Sequence, residues 1–450
     1  MNITIVGGGK VGKTLIKCLL EEGHNITVIE KRKETLENIL DSYDVAGIIG
    51  SGAVAKTLEE AGTAKSDLFI SVTDNDELNI VCCRMAQCLG AKKVVARVRD
   101  TEYSTQAELM RTGFGIDMIV NPEQATAEEV ANLLRFPFAT AVSSFEKGKV
   151  VSVEIKVPED CEIVGKTVEQ IVKETPAELI VGAILRGEET IIPKGSDVVQ
   201  AHDFVTFISA PSRINAFFKK TGIFNQKVKN VLIIGASRIS YHLIKKLQDS
   251  SIMVKVIEKD PNRCSQILEA IDKVDVVCAD GTQRQVLDEE GLKEFDACVS
   301  LTGIDEQNII ISLYAKSKSV ETVISKVNND TFDGILENIN LDSNISPKDV
   351  VASQIIQYTR SIRAKEEDTI ESLRKMVGGK LEILELNVNN KDELIDKQIK
   401  DLKLKDNTII ASVIRKNEIL IPNGDLVLNQ DDKIIVATTV VVNKLESIIK

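Results

Sequence analysis

The chain repeats itself, so any fold for it must be built twice. IVGGGKVGKTLIKCL from Ile5 returns as IIGASRISYHLIKKL from Ile233, which maps Gly7 onto Gly235 at an offset of 228. Glu30 and Glu258 keep that spacing. Beyond them one inserted residue moves the offset to 229: SVTDNDELNIV from Ser71 answers SLTGIDEQNII from Ser300, and VVARV from Val94 answers VISKV from Val323. GAILRGEETIIPKGSDVVQAHDFVTFI from Gly182 likewise matches ASVIRKNEILIPNGDLVLNQDDKIIVA from Ala411. The sequence is a tandem duplication of a unit of about 225 residues.

Each unit reads as a large segment followed by a small one. Asn2 to Val6 is an apolar run ending in glycines, and Lys13 to Glu21 carries apolar residues at helical spacing. Further strands are expected at Ile26–Ile29, Val45–Ile49, Leu68–Val72, Val94–Val98 and Met118–Val120, with helices at Thr35–Asp41, Val54–Ala61, Leu78–Leu89 and Thr105–Arg111. Such alternation implies a parallel sheet covered by helices on both faces. A helix from Pro122 through Leu134 leaves that sheet and stops at Phe136-Pro137-Phe138. The small segment shows strands at Val150–Val157, Ala183–Leu185 and Phe204–Ile208 and a helix at Val168–Glu174. The expected fold is α/β: two Rossmann-like, doubly wound parallel-sheet domains at 1–136 and 228–363, each followed by a small α/β lobe, at 140–222 and 372–450.

Gly7, Gly9 and Gly12 spell G-x-G-x-x-G between a predicted strand and a predicted helix. In that context the glycines let the backbone turn sharply and approach a pyrophosphate, whose charge the helix N-terminus stabilises. No acid stands in the first helical turn. Glu30 ends the second strand, where a carboxylate accepts hydrogen bonds from ribose hydroxyls and repels a 2′-phosphate, so NAD(H) or an adenine nucleotide is favoured over NADP. Thr73 and Asp74 close the fourth strand on the same edge. Arg97 lies in a strand that otherwise reads as buried and wants an anion, either a ligand phosphate or Asp74.

What the chain lacks narrows its function. Hydride transfer needs a positioned acid or base, and the three histidines, His24, His202 and His242, fall in two turns and a helix with no partner constellation. The eight cysteines form no C-x-x-C pair near histidine, which argues for reduced thiols and against a zinc site. A net charge of −12 disfavours docking on nucleic acid. No apolar run is long enough to span a bilayer, and the N-terminus runs straight into the first strand, so a cytoplasmic location is expected. Binding without turnover is the favoured reading, with an NAD-dependent oxidoreductase as the alternative.

The glycine turn with Glu30, IGSGAVAKTLEEAG from Ile49, TDNDELNIVCCRMA from Thr73 and VARVRDTEY from Val95 resemble the regulator-of-potassium-conductance (RCK) domain, N-terminal part, and the small segments resemble its C-terminal part. Two such pairs in tandem are similar to the TrkA family of potassium uptake regulators. The resemblance implies a cytoplasmic regulatory subunit, peripheral on the inner membrane face, that gates a membrane-embedded Trk-type potassium transporter subunit and assembles as a homo-oligomer, a dimer or tetrameric ring. It implies NAD(H) or ATP/ADP contacts at Gly7, Gly8, Gly9, Lys10, Val11, Gly12, Glu30, Thr73, Asp74 and Arg97. In the second unit it points to Gly235, Ser237, Arg238 and Glu258, although serines replace two fingerprint glycines there and hold the backbone further from phosphate. Ligand-dependent closure, passed on through the helices after Pro122 and Pro347, is the expected route to gating.

Overall fold

The computed structural model describes residues 1–100, 103, 106–174, 178–222, 227–248, 250, 252–332, 336, 341, 344–365, 370–376, 380–388, 394–416, 418–440 and 448–449. In the first unit, strands β1 (Asn2–Val6), β2 (Asn25–Glu30), β3 (Ala46–Ile49), β4 (Leu68–Ser71), β5 (Val94–Arg97) and β6 (Met118–Val120) form one parallel sheet in the order β3-β2-β1-β4-β5-β6. The central strands are buried on both faces, which is why they read as continuous apolar runs. Helices α1 (Lys10–Glu21), α2 (Lys33–Ser42), α3 (Ala55–Glu60), α4 (Asp76–Leu89), α5 (Ala107–Gly113) and α6 (Pro122–Arg135) make the crossovers. The order reverses between β1 and β4, and a crevice opens there at the strands' carboxyl ends.

Local chemistry sets the boundaries. The Asn75 side chain accepts the Leu78 amide and starts α4, and Gly90 at φ 114° stops it. Asn121 caps α6 through the Gln124 amide, with Pro122 in the first turn. Strand β4 ends at Ser71, so Thr73 and Asp74 lie in the following turn rather than at the strand's end. Helix α5 begins at Ala107; Thr105, expected to start it, lies outside the described residues.

The first small lobe is a five-stranded antiparallel sheet of β7 (Ala141–Phe145), β8 (Val150–Lys156), β9 (Ile180–Arg186), β10 (Glu189–Ile191) and β11 (Phe204–Ser209), ordered β10-β9-β11-β8-β7, with helices α7 (Val168–Glu174) and α8 (Pro211–Lys220). The short edge strands β7 and β10 were not expected. The second unit repeats the plan. Strands β12 (Asn230–Ile234), β13 (Met253–Glu258), β14 (Asp275–Cys278), β15 (Ala297–Ser300), β16 (Thr322–Lys326) and β17 (Asn344–Ile345) form a parallel sheet, with helices α9 (Arg238–Gln248), α10 (Pro261–Ala270), α11 (Arg284–Glu289), α12 (Asp305–Ser317) and α13 (Pro347–Lys365). Its lobe holds β18 (Ile370–Met376), β19 (Leu381–Asn387), β20 (Thr408–Arg415), β21 (Glu418–Leu420) and β22 (Lys433–Thr438).

The two units exchange helices. Helix α6 packs on α9 of the second unit, and α13 packs on α1 of the first. Val130, Leu133 and Leu134 share a core with Leu243 and Ile244, while Val351, Ile355 and Ile356 share one with Leu15 and Leu19. Full burial of such side chains stabilises by about 1.5–3 kcal/mol each, so the exchange is a strong tie. The lobe sheets also stack, with Phe145, Ala183 and Ile208 against Leu381, Ile383 and Ala437.

Candidate functional site

A cavity of about 650 Å³ occupies the crevice of the first unit. Its floor is the glycine turn. Gly7, at φ 105°, lies so close to the Val72–Thr73 backbone that a Cβ would stand 3.1 Å from the Thr73 nitrogen. A Cβ on Gly12 would meet the Gly7 carbonyl at 2.0 Å, so α1 can enter this close to β1 only without a side chain there. Gly9 faces open space. No side chain caps α1 and no acid stands in its first turn, which leaves its leading amides and dipole directed at the crevice.

Among the sequence-derived residues, Gly7, Gly9, Lys10, Val11, Glu30, Thr73, Asp74 and Arg97 line the cavity; Gly8 and Gly12 sit behind it. Glu30 is 7% exposed and already engaged. Its Oε2 accepts the Gly8 amide at 2.6 Å and its Oε1 the Arg32 amide at 2.9 Å. A carboxylate has about four acceptor positions, so Glu30 can clamp the turn and still receive a hydroxyl from the cavity.

Arg97 does not pair with Asp74 among the described residues. Its Nη1 donates to the Thr73 carbonyl at 3.3 Å, and its Nε is buried without a partner. Burial, and then the charge of Arg99, push its pKa down, with Glu123, Asp76 and Asp74 opposing. A half-buried guanidinium that lines the cavity suits an anion on its accessible side. Asp76 does not cap α4; it accepts the amides of Arg99 and Asp100, each at 2.8 Å.

Sequence reasoning passed over Asn79. Fully buried on α4, it accepts the Thr73 amide at 2.9 Å and the Thr73 hydroxyl at 2.7 Å, and donates to the carbonyls of Thr73 and Arg97 at 3.2 and 2.8 Å. It therefore fixes the turn after β4 to the end of β5. Asn308 makes the same four bonds to Thr302 and Lys326 in the second unit. The signal is present in the repeated segments from Ser71 and Ser300, which place an asparagine at matching positions directly before an apolar run of helix.

The second unit supplies the cavity's far wall: Ile239, Lys326, Asn328, Pro347 and Lys348. Gly235, Ser237, Arg238 and Glu258 do not line it. Their own turn keeps the frame, with Gly235 at φ 99° and Glu258 accepting the amides of Ala236 at 2.6 Å and Asp260 at 2.9 Å. Its interior is filled, however. Ser240 Oγ donates to the Gly235 carbonyl at 2.5 Å and accepts the Ser237 amide at 3.2 Å, while Ser237 Oγ accepts the Ser240 amide at 3.3 Å. Arg238 opens α9 with an exposed side chain. None of the three histidines lines the first cavity. Among the described residues no cluster of three or more metal-binding side chains occurs, and no helix is long and apolar enough to cross a membrane.

The TrkA-N domain model matches residues 3–122 and 231–347, and the TrkA-C domain model matches 153–222 and 383–450. The chain belongs to the TrkA family. It is 32% identical to the Trk system potassium uptake protein TrkA homolog of Archaeoglobus fulgidus, covering 97% of both chains. It is 30% identical to the Trk system potassium uptake protein TrkA of Halomonas elongata, over 97% of this chain and 95% of that one. Among solved structures, the GsuK channel bound to NAD shares the fold at a TM-score of 0.63 and 18% identity, covering 97% of this chain and 76% of that one. The crevice and the serine-filled turn are thus the same site in two TrkA-N segments, one open and one closed by its own side chains.

Proposed function

We propose that this chain is the cytoplasmic, nucleotide-binding regulatory subunit of a Trk-type potassium uptake transporter, without catalytic activity of its own, and that it divides into working segments at 1–136, 140–222, 228–363 and 372–450. The first crevice is its principal site, for NAD(H) or for ATP/ADP. The observation that carries this reading is the half-buried Arg97, which lines the cavity with an uncapped α1 and the glycine turn. The ligand's phosphates lie on the α1 amides, a ribose hydroxyl on Glu30, and its distal half toward Arg97.

Because the far wall belongs to the second unit, a ligand there contacts both halves of the chain at once. A ligand shifts a conformational equilibrium only by its differential affinity for the two states, and contacts across the seam supply such a difference. The exchanged helices α6 and α13, each beginning at this seam, carry the shift to the lobes and, in a homo-oligomeric ring, to the transporter.

Calorimetric titration with NADH, NAD, ATP and ADP tests the reading. Saturable binding is expected, weakened at least about tenfold, or about 1.4 kcal/mol, by Gly9→Asp, which puts a carboxylate into open space facing the phosphates. Glu30→Ala is expected to weaken it as well. Failure of all four ligands to bind overturns the proposal, and steady NADH consumption with a candidate substrate would replace it with an oxidoreductase.

A further inference from the structure

The second unit holds two cysteines that nucleotide binding leaves unused. Cys264 is buried on α10, and Cys278 is exposed at the end of β14, the edge strand of its sheet. The Cys264 thiol and the residue after Cys278 meet at one backbone oxygen. The Glu258 carbonyl accepts the Cys264 thiol at 3.4 Å and the Ala279 amide at 2.9 Å, and Glu258 is the register partner of Cys278 across the parallel pair β13 and β14.

Residues paired across neighbouring strands project from the same face of a sheet, and every second residue along a strand shares that face. Val256 and Val276, two positions before Glu258 and Cys278, both pack with the core that contains Ile267 of α10. The Cys278 side chain therefore projects from the face that α10 covers, toward Cys264. Burial first, and the neighbouring Cys278 thiol second, raise the Cys264 pKa to about 11. The accessible sulfur, Cys278, is the one an oxidant reaches first.

We propose that Cys264 and Cys278 form a reversible disulfide, a redox-modification site built into the second unit. The oxidant is a hydroperoxide. The Cys278 thiol gives its proton to solvent and its sulfur attacks the O–O bond, becoming a sulfenic acid; when the oxidant is hydrogen peroxide the displaced hydroxide takes up a proton and leaves as water. The Cys264 sulfur then displaces the sulfenic hydroxyl, which leaves as a second water with the Cys264 proton. Two thiols lose two electrons and one peroxide gains them. The new bond ties the edge strand to α10 beside Glu258, whose carboxylate holds the Ala236 amide of the second turn, so its closure is registered at that turn.

The pair is specific to the second unit: the equivalent positions in the first are Leu36 on α2 and Ile49, the register partner of Glu30. Cys82, Cys83 and Cys298 are buried, with thiol pKa values raised by burial, and serve as unreactive internal references.

The test is to treat the folded full-length chain with hydrogen peroxide, alkylate the remaining free thiols, and map the digest by mass spectrometry. The expected result is a peptide linking Cys264 to Cys278, lost on reduction with dithiothreitol, with alkylation of Cys278 lost in parallel. In Cys264→Ala, Cys278 is expected to advance to the sulfinic acid instead. The proposal is overturned if the parent chain yields no linked peptide and its Cys278 over-oxidises as fast as in Cys264→Ala, or if Cys278 cross-links only between chains. The parent measurement stands alone should the variant fold poorly.

Discussion

The two glycine turns share a backbone and differ in what fills it. In the first, Gly9 faces open space and α1 begins uncapped; in the second, the hydroxyls of Ser237 and Ser240 take up each other's backbone amides and the Gly235 carbonyl. Both keep the positive-φ glycine, the carboxylate clamp at Glu30 or Glu258, and the asparagine tie at Asn79 or Asn308. Duplication has preserved the groups that hold the frame, while the groups that leave room for a phosphate survive in one copy. Stability and binding at this site therefore rest on different atoms, and substitutions can separate them.

The largest effect is expected where the copies differ most in buried charge. Arg360 on α13 is 10% exposed at its side chain and joins Glu22 of the first unit, at 2.9 Å from Nε to either oxygen, to Glu382 of the second lobe, at 2.7 Å from Nη1. Counted from Pro122 and Pro347, its equivalent is Arg135, an exposed residue beside the Phe136 ring. Arg360→Ala strands two buried carboxylates and is expected to destabilise by about 3–5 kcal/mol in urea unfolding. Arg135→Ala is expected to stay within about 0.5 kcal/mol. Equal losses would break the contrast.

Asn79→Ala and Asn308→Ala address what the copies share. Each leaves buried carbonyls and an amide without partners and is expected to lose about 1–3 kcal/mol, by a similar amount in the two units. Only Asn79→Ala should also weaken nucleotide binding. A smaller change is expected from Ser237→Gly combined with Ser240→Gly: about 1 kcal/mol of lost capping, with calorimetric stoichiometry rising from one ligand per chain to two. A stoichiometry that stays at one would place the difference between the turns outside the serines.

The smallest effect concerns the lobes. Glu146 of the first lobe meets Lys433 of the second at 2.6 Å, and that hydrogen bond above all lowers the Glu146 pKa from 4.5 to about 2 against the opposing effect of burial. A depressed carboxylate pKa adds stability that is complete above the unfolded value, so this contribution is expected to fade as pH falls from about 4.5 toward 2. Phe204 occupies the position of Lys433 in the first lobe, so the bond has no twin. A Lys433→Met chain should lose that part of the acid-induced drop in melting temperature.

The sequence revealed the fold through features that are local or periodic: the repeat, the strand–helix alternation and the strand–glycine–helix turn. It did not reveal which neighbour a helix chooses. The apolar stripe of α6 reads the same whether it faces its own sheet or α9, so the exchange was invisible. Strands β7 and β10 were missed because Ser143-Ser144 and Glu189-Thr190 dilute their pattern. Asn79 and Asn308 stand in the repeated segments but read as surface residues, since a polar residue in a helix ordinarily marks a solvated face. The serine-filled turn needed hydrogen-bond geometry, because spacing alone cannot show that two hydroxyls satisfy the amides a phosphate would have used. Arg97 was legible as a buried cation, but only the structure separates it from Asp74.

The exchange of α6 and α13 also bears on how the chain is made. Translation proceeds at about 5–20 residues per second, and α6 leaves the ribosome long before its seat on α9, which ends at Gln248, has been synthesised. Throughout that interval Val130, Leu133 and Leu134 lack the neighbours that Leu243 and Ile244 will supply, and α1 likewise waits for a helix ending at Lys365. The nascent first half is thus expected to carry these two helix faces incompletely covered until its sister sequence arrives, and a chain cut short in the second half is expected to expose them.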